Sequence, residues 1–426
     1  MIYFVFLKFL LPLLLTIIVQ EMSLQVLNGG MARMPQATET LAAYGLAWGI
    51  TMFLNGPLAQ GRQLGLVLVD SKQAFRQVHH FAIGVGCLMA GVLLSLSLTS
   101  LGTFVIEDIH SVKPELSAIV YRAFFYLTPI PLLSGLNQLY SGALMRMRRT
   151  EIVSAAMICG IVASIVTVFV LLPTDFVRED PIRLPLAATY ASVVMEFLIA
   201  TWGRYRFVKV PNISDTEPLT QGYIIRFFWP LAFIMAIQGL SRPVVNLFVA
   251  RGPDGAEQLA VLTIVYALAH VPYGWINEIR SLHIAFKHIE NHLHYIRRFA
   301  AGCGLFSFGM MALLFWTPIR HFLLEGLIGV TPELAAKCAL PLFFFSFFPL
   351  SVAVRAYFHG VGLLERRTQA MAPSAPARIS AVTLVLLVLP VDLMHGAARG
   401  VLALLSGFIC EALVVWWGVK GRKVKT

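Results

Sequence analysis

The chain has 426 residues, of which 58% are hydrophobic and only 13% are charged. This composition lies outside the range of soluble globular proteins and indicates an integral membrane protein. The formal charge of +11 could suggest a nucleic-acid partner, but the basic residues are grouped in short loops between apolar segments, which favours membrane topology over nucleic-acid binding.

Twelve apolar runs are long enough, at about 20 residues, to cross a bilayer as α-helices. In chain order they cover residues 4–26, 41–66, 81–101, 117–143, 152–173, 184–203, 223–250, 258–280, 299–317, 338–362, 371–390 and 396–419. Proline and glycine interrupt several of them, at Asn55-Gly56-Pro57, Pro129-Ile130-Pro131, Pro272-Tyr273-Gly274 and Pro349. Such breaks are tolerated only where protein or a cavity covers the freed backbone. We therefore predict an all-α polytopic membrane protein with twelve transmembrane helices.

The basic residues of the loops predict the orientation of the chain in the membrane. Loops after even-numbered helices collect Lys and Arg, whereas those after odd-numbered helices are poorer in them and partly acidic, as in IEDIHSVKPE. By the positive-inside rule both termini are cytoplasmic. The first apolar run lacks the basic start of a secretory signal, so we interpret it as the first helix. The compact loops favour a plasma membrane location, in the bacterial inner membrane.

The two halves of the chain match at a fixed offset in residue number. An offset of 218 pairs Pro12 with Pro230, Gln20 with Gln238, Asn28 with Asn246, Pro131 with Pro349, and RRT at 148–150 with RRT at 366–368. We therefore predict two parallel six-helix repeats, an N-terminal lobe (1–207) and a C-terminal lobe (223–426), joined by a cytoplasmic linker (208–222). Two transporter architectures fit this pattern, the MATE-like flippase fold and the major facilitator fold.

Motifs for catalysis, nucleotide hydrolysis and metal binding are missing from the sequence. There is no G-x-x-x-x-G-K-[ST] loop to drive an ATP motor, and no nucleophile–base pair stands out. The five cysteines are odd in number and lie in or beside apolar segments, as packing residues do. The histidine-rich HIENHLH (288–294) lies in a loop and is a weak metal-site candidate. We predict no enzyme, no cofactor and no metal site.

Charged residues inside the apolar runs are the main candidates for function. Each costs ~2.5–3.5 kcal/mol to insert, so such residues tend to face a cavity. The C-terminal lobe has four such arginines, Arg242, Arg280, Arg355 and Arg378, and the equivalent positions of the first copy hold Leu24, Arg62, Asn137 and Gly160. Three of the four are thus not required by the shared scaffold. Because guanidinium suits phosphate and carboxylate oxygens, we predict that all four bind an anion.

The same arginines have a structural alternative. Arg242 and Arg355 could pair with Glu278 or Glu411, or reach a head-group boundary. Glu196 and Glu411 are candidates for lining a cavity or for pairing. Further polar residues could complete the binding site or form interhelical hydrogen bonds: Asn28, Asn246, Gln238, His270 and Tyr273.

Two acidic residues, Glu21 and Glu278, are candidates for coupling transport to a driving ion. Glu21 and Arg242 lie at similar depths in their helices, with a difference of only ~4–5 Å along the axis. Glu21 could couple anion release to protonation, since burial raises the pKa of a carboxyl group. Alternatively, Glu21 and Arg242 form a salt bridge that only latches one state.

Several stretches resemble the progressive ankylosis protein family. They include FFWPLAFIMAIQGLSRPVVNLFVAR, HVPYGWINEIRS, FSFFPLSVAVRA and VLPVDLMHGAARGV in the second half, and LAAYGLAWGITMFLNGPLAQGRQLGLVLVDSK in the first. The resemblance implies a MATE-like fold of the multidrug/oligosaccharidyl-lipid/polysaccharide (MOP) superfamily. Where the family carries an acidic residue and an arginine, this chain has Leu24 and Gly29.

The resemblance also implies a function. The family is associated with the export of small polyvalent anions, namely pyrophosphate, nucleoside triphosphates such as ATP, and citrate. We therefore expect a transporter that exports one of these anions by alternating access. The alternatives are a lipid-linked precursor flippase and a cation-coupled drug exporter of the same superfamily, although a cavity rich in arginine disfavours cationic drugs.

Overall fold

A computed structural model describes residues 2–31, 33–110, 112–212, 219–390, 394 and 396–420, apart from the side chains at 17, 18, 20–25, 38, 256 and 327. These residues are almost entirely helical. The α-helices of seven residues or more are numbered in chain order: α1 (Ile2–Met31), α2 (Ala37–Leu58), α3 (Gly61–Leu68), α4 (Lys72–Leu98), α5 (Pro114–Leu127), α6 (Ile130–Arg146), α7 (Thr150–Leu171), α8 (Arg183–Phe207), α9 (Gln221–Gly239), α10 (Ser241–Ala250), α11 (Gly255–Gly274), α12 (Ile279–Ala285), α13 (His292–Trp316), α14 (Pro332–Phe345), α15 (Phe348–Leu364), α16 (Ser374–Val388) and α17 (Gly396–Lys420).

The helices have the length and composition of membrane spans. Within the described ranges, nine helical stretches are long and apolar enough to cross a bilayer, and α5 with α6, which meet at a bend of 42°, make a tenth if they form one span. Each of the twelve apolar runs predicted from the sequence is occupied by helix. The prediction of an all-α integral membrane protein is thus confirmed.

The four predicted interruptions are also found, two at the C-terminal end of a helix and two in the first turn of a helix. Helix α2 ends at Leu58, directly after Asn55-Gly56-Pro57, and α11 ends at Gly274 and continues as a 3₁₀ turn, Trp275–Glu278. Pro131 and Pro349 lie in the first turns of α6 and α15. Proline is tolerated there because the first turn of a helix has no intrahelical acceptor for its missing N–H.

The internal repeat is visible in the backbone itself. Five described residues other than glycine have a positive φ, and four of them form two pairs at the offset of 218. The pairs are Gln36 with Asp254 (φ 54° and 51°) and Arg148 with Arg366 (φ 58° and 55°). A positive φ is uncommon for such residues. Two copies of the same unusual turn at the same offset confirm the duplicated unit.

Residue contacts divide the chain into two compact units, Leu11–Phe228 and Met1–Leu10 with Trp229–Thr426. In the second unit, the start of α1 packs on the C-terminal half of the sequence. The ring of Phe286 lies 5.1 Å from that of Phe6 and 5.6 Å from that of Phe9, measured between centroids. The contacts thus group the first turns of α1 with the C-terminal half, whereas the predicted N-terminal lobe (1–207) includes them. The predicted lobe boundaries of 1–207 and 223–426 stay a prediction.

Candidate functional site

A buried carboxylate, Glu411, is the centre of a polar cluster in the unit that contains Trp229–Thr426. Glu411 lies midway along α17 and is fully buried. Its Oε2 accepts hydrogen bonds from Arg355 Nη1 at 2.9 Å and from Arg378 Nη1 at 3.1 Å. Its Oε1 accepts a hydrogen bond from Gln238 Nε2. Side chains from α9, α15 and α16 therefore meet at one acidic group.

The break after α11 contributes a further contact. Asn277, in the 3₁₀ turn, accepts a hydrogen bond from Arg355 Nη2 through its Oδ1. Its Nδ2 donates to the carbonyl oxygen of Gly274 at 2.8 Å, a backbone group at the end of the interrupted helix. The amide thereby links the broken backbone to the arginine and orients the guanidinium toward Glu411.

An aromatic wall lines the two guanidinium groups. The Cζ atom of Arg378 lies 3.9 Å from the ring centroid of Phe408, and that of Arg355 lies 5.1 Å from it. Phe408 packs on Phe348 at 4.8 Å between centroids, and Phe348 stacks on Phe345 at 4.2 Å. The face of an aromatic ring attracts a cation, most strongly where water is excluded. The wall holds both guanidinium groups beside one ring.

The charges of the cluster do not balance. Arg355 and Arg378 are only 8% and 7% exposed, and together they carry two positive charges against the single negative charge of Glu411. Arg378 Nε and Nε2 of the buried His359 make no hydrogen bond with any residue in the described part of the chain. Buried charge is costly unless it is paired and hydrogen-bonded. The geometry therefore favours binding of a further negatively charged group.

Three of the four predicted arginines converge on one predicted tyrosine. Tyr273 is within electrostatic reach of Arg242, Arg355 and Arg378. The fourth, Arg280, is within electrostatic reach of His359, as is Arg355. The four arginines predicted from the sequence thus lie in one region of the protein.

Arg242 and Arg355 differ in their surroundings. Arg355 pairs with Glu411, as the structural alternative proposed. Arg242, at the start of α10, is exposed and lies over Tyr266 with its Cζ 4.7 Å from the ring centroid. It forms no ion pair with any described residue, so its pairing with Glu278 or Glu411 is not found there.

The remaining predicted site residues are spread over several elements. His270 lies edge-on to Tyr273, with 5.7 Å between ring centroids. Asn246 is half-buried in α10, and its Oδ1 makes no hydrogen bond within the described residues. Glu278 is half-buried in the 3₁₀ turn, and Asn28 is half-buried in the part of α1 that belongs to the other unit. The side chain of Glu21 lies outside the described residues, so its proposed coupling to Arg242 is not addressed.

A second carboxylate inside the membrane-spanning helices, that of the half-buried Glu196, lies in the unit Leu11–Phe228. Glu196 Oε2 accepts a hydrogen bond from Asn137 Nδ2 at 2.8 Å. A Cβ atom at Gly160 would lie only 2.6 Å from Glu196 Cγ, so Gly160 is also in close contact with this acid. Asn137 and Gly160 are the residues that match Arg355 and Arg378 at the offset of 218. Glu196 therefore occupies in its unit the place that Glu411 has in the other.

The offset explains why this correspondence was missed. Glu196 and Glu411 match at an offset of 215, as do Trp202 and Trp417 and the glycines that follow them. The second copy is three residues shorter before its last helix, and the fixed offset of 218 pairs Glu411 with Val193. Asn277, His359 and Phe408 were not predicted as site residues either, because their contribution depends on how each helix is rotated about its axis.

No metal centre is seen in the described part of the chain. Groups of three or more His, Cys, Asp or Glu side chains able to hold a metal ion are not found among those residues. In the histidine-rich stretch, α13 begins at His292, whose Nδ1 lies 3.1 Å from the carbonyl oxygen of Ile289.

Comparisons with known proteins agree with the helical architecture. The sequence profile described as "Progressive ankylosis protein (ANKH)" matches residues 1–317. Solved structures with a similar fold include a MOP superfamily transporter from Pyrococcus furiosus, with a TM-score of 0.68 at 14% identity over 97% of this chain and 94% of that one. An outward-facing multidrug resistance MATE family transporter has a TM-score of 0.69 at 16% identity over the same shares. A MATE transporter from Vibrio cholerae has a TM-score of 0.68 at 12% identity, over 98% of this chain and 96% of that one.

Proposed function

The chain belongs to the progressive ankylosis protein (ANKH) family, and on that premise we propose that it is a membrane transporter that exports small polyvalent anions by alternating access. The candidate substrates are pyrophosphate, a nucleoside triphosphate such as ATP, and citrate. It acts as a transporter and not as an enzyme. The observation that supports this proposal is the pair of buried guanidinium groups that share the single carboxylate of Glu411.

The charge of the cluster selects for anions. Arg355 and Arg378 present planar donors that match phosphate and carboxylate oxygens, and both are almost fully buried. A cationic drug would meet two positive charges at this site and only one negative charge. An anion would offset the excess of one positive charge and provide acceptors for Arg378 Nε and His359 Nε2.

Glu411 acts in this proposal as an internal counter-ion. Its carboxylate satisfies the two guanidinium groups when no substrate is bound, and an arriving anion competes with it for the same donors. Leaving two buried guanidinium groups without any partner would be strongly destabilising. Competition between the carboxylate and the substrate allows the anion to bind and also to leave.

The structural relatives support our use of the charge of the site to infer the class of substrate. The transporter from P. furiosus is described as having a binding pocket whose reverse polarity suggests a different function. Since such relatives share the fold at 12–16% identity, the fold alone does not determine the substrate. In our proposal the protein acts in the plasma membrane, the bacterial inner membrane, with both termini cytoplasmic. Its partners are the anion and the lipid bilayer, with no nucleic acid.

Transport by purified protein in liposomes tests the proposal. The liposomes are loaded in turn with pyrophosphate, ATP, citrate, a lipid-linked pyrophosphate and a cationic dye, and flux is measured for each. We expect flux of at least one of the three soluble anions and none of the dye. Movement of only the lipid-linked compound would overturn the proposal in favour of a flippase, and movement of only the dye in favour of a drug exporter.

A pair of matched variants connects this transport to the site. Removing a charge-assisted hydrogen bond costs about 1.5–3 kcal/mol, so we expect Arg355→Gln to lower kcat/KM for the anion by roughly tenfold or more. Asn137→Ala changes the equivalent position beside Glu196 and should have less effect on the KM for the anion. Thermal melting and the amount of each variant in the membrane control for misfolding. An unchanged kcat/KM in Arg355→Gln would exclude this cluster as the binding site.

A further inference from the structure

A groove of about 1300 Å³ opens along the unit that contains Trp229–Thr426, away from the arginine cluster. It is formed by α13, α15 and the last turns of α17. Its apolar lining includes Ala301, Leu305, Val354, Phe358 and Trp416, and its charged lining includes Arg297 and Lys420. We refer to it as the lateral groove.

The floor of the lateral groove is closed and its rim is open to the bilayer. A Cβ atom at Gly304 would lie 2.9 Å from Ala353 Cβ, so α13 and α15 are in close contact at the base of the groove. On the rim, Leu305 is 62% exposed and Val354 is 44% exposed. In a membrane-spanning unit, such apolar side chains face hydrocarbon rather than water. The groove is therefore accessible from the lipid phase.

The length of the lateral groove matches one leaflet. Its lining on α13 runs from Leu293 to Leu305, about 18 Å at 1.5 Å per residue. One half of a hydrocarbon core of about 30 Å is about 15 Å. The groove thus accommodates an acyl chain that lies parallel to the helices, with its head group at the end marked by Arg297.

That end of the lateral groove carries uncompensated positive charge. Arg297 and Lys420 are exposed, and neither forms an ion pair with a described residue. Lys420 Nζ lies 5.5 Å from the ring centroid of Trp416. A third basic residue, Arg367, is already engaged, because its Nη1 contacts Glu365 Oε2 at 3.2 Å and the carbonyl oxygen of Val419 at 2.9 Å. Two cations therefore remain for an anionic ligand.

We propose that the lateral groove is a binding site for a phospholipid with an anionic head group. The acyl chains lie against the apolar wall, and the head-group phosphate is bound by Arg297 and Lys420. Basic pockets between transmembrane helices are known to bind anionic head groups in this way, and aromatic residues such as Trp416 are typical of the membrane interface. This site is distinct from the arginine cluster and does not depend on which anion is transported.

Native mass spectrometry of the full-length protein in detergent tests the proposal. The protein is titrated with phosphatidylglycerol and, separately, with phosphatidylcholine of the same acyl chains. We expect phosphatidylglycerol to bind at least ~fivefold more tightly, and Arg297→Gln to lower its affinity by about fivefold, because each basic residue near a lipid head group contributes on the order of one kcal/mol. A soluble glycerol phosphate at the same concentration should not displace it.

Neighbouring residues supply the controls. Arg298→Gln removes the adjacent exposed charge on α13, which does not line the groove, and should leave lipid affinity unchanged. Ala301→Trp should fill the apolar wall and reduce binding without altering charge. Equal affinity for the two lipids would overturn the proposal, as would equal losses of lipid affinity in Arg297→Gln and Arg298→Gln. Displacement of the lipid by glycerol phosphate would also overturn it, as would a mass spectrum that shows a dimer without bound lipid.

Discussion

At the scale of single residues, equivalent acidic residues have different neighbours in the two copies of the repeat. Glu196 is bound by the neutral Asn137, whereas Glu411 is bound by two guanidinium groups. Arginine in place of Asn137 and of Gly160 changes the sum of charges in these contacts from −1 to +1. In our proposal, these two differences between the copies create the site for anions.

Replacing Glu411 by the isosteric glutamine should strengthen anion binding. The amide still fills the space, but it no longer neutralises Arg355 and Arg378. We expect the Kd for pyrophosphate or citrate to fall by about tenfold, equivalent to ~1.4 kcal/mol, while turnover slows because the internal competitor for release is lost. Calorimetry on purified protein measures the affinity, and liposome flux measures the turnover.

The equivalent change in the other copy provides the control for this prediction. Glu196→Gln removes the corresponding carboxylate, whose direct side-chain partners are Asn137 and Ser192. Its effect on anion affinity should be less than twofold. Weaker binding in Glu411→Gln, at unchanged melting temperature, would show that the carboxylate does not compete with substrate.

At the scale of helices, the two copies maintain a close crossing by different means. In the pair α7 and α8, a Cβ atom at Gly160 would lie 2.9 Å from the carbonyl oxygen of Ser192. In the pair α16 and α17, the glycine is on the other helix, where a Cβ atom at Gly407 would lie 3.1 Å from the carbonyl oxygen of Arg378. The long side chain of Arg378 is accommodated because its neighbour is the glycine.

The close crossing of α7 and α8 predicts that one added methyl group at position 160 lowers the stability of the protein. Gly160→Ala would place its Cβ against Glu196 and a backbone carbonyl, so α7 and α8 must move apart. Overpacking of this kind costs typically ~1–3 kcal/mol, and we expect a lower melting temperature in detergent. Gly91→Ala, where no atom lies within 4 Å of the added Cβ, should be neutral or slightly stabilising. Equal melting temperatures for the two variants would contradict the crossing geometry.

The helices show which features could be predicted from sequence. Their positions depend on local properties, namely the length of an apolar run and the presence of proline, so the twelve segments and the interruption at Pro272-Tyr273-Gly274 were found. The pairing of Arg355 with Glu411 was only one alternative among several, and that of Arg378 with Glu411 was not predicted, since both depend on the rotation of three helices. A three-residue shortening of the second copy further concealed the match between Glu196 and Glu411.

At the scale of the whole molecule, the repeat and the loop charges make a testable prediction of topology. Arg149 and Arg367 follow the paired left-handed turns, and six helices per copy give both copies the same orientation in the membrane. After replacement of the native cysteines, single cysteines at positions 149 and 367 should be labelled from the cytoplasmic side. A cysteine at exposed position 110, after the third predicted helix, should be labelled only from outside. Labelling of 149 and 367 from opposite sides would refute the parallel repeat.

The packing of the start of α1 has a consequence for how the protein is made. Phe6 is synthesised before its contact Phe286, which follows 280 positions later in the chain. At about 5–20 residues per second, translation leaves this segment without its native neighbours for on the order of tens of seconds. The unit that contains Trp229–Thr426 therefore cannot complete its packing as an independent nascent domain. The start of α1 must wait in the membrane until the later helices of its unit have been synthesised.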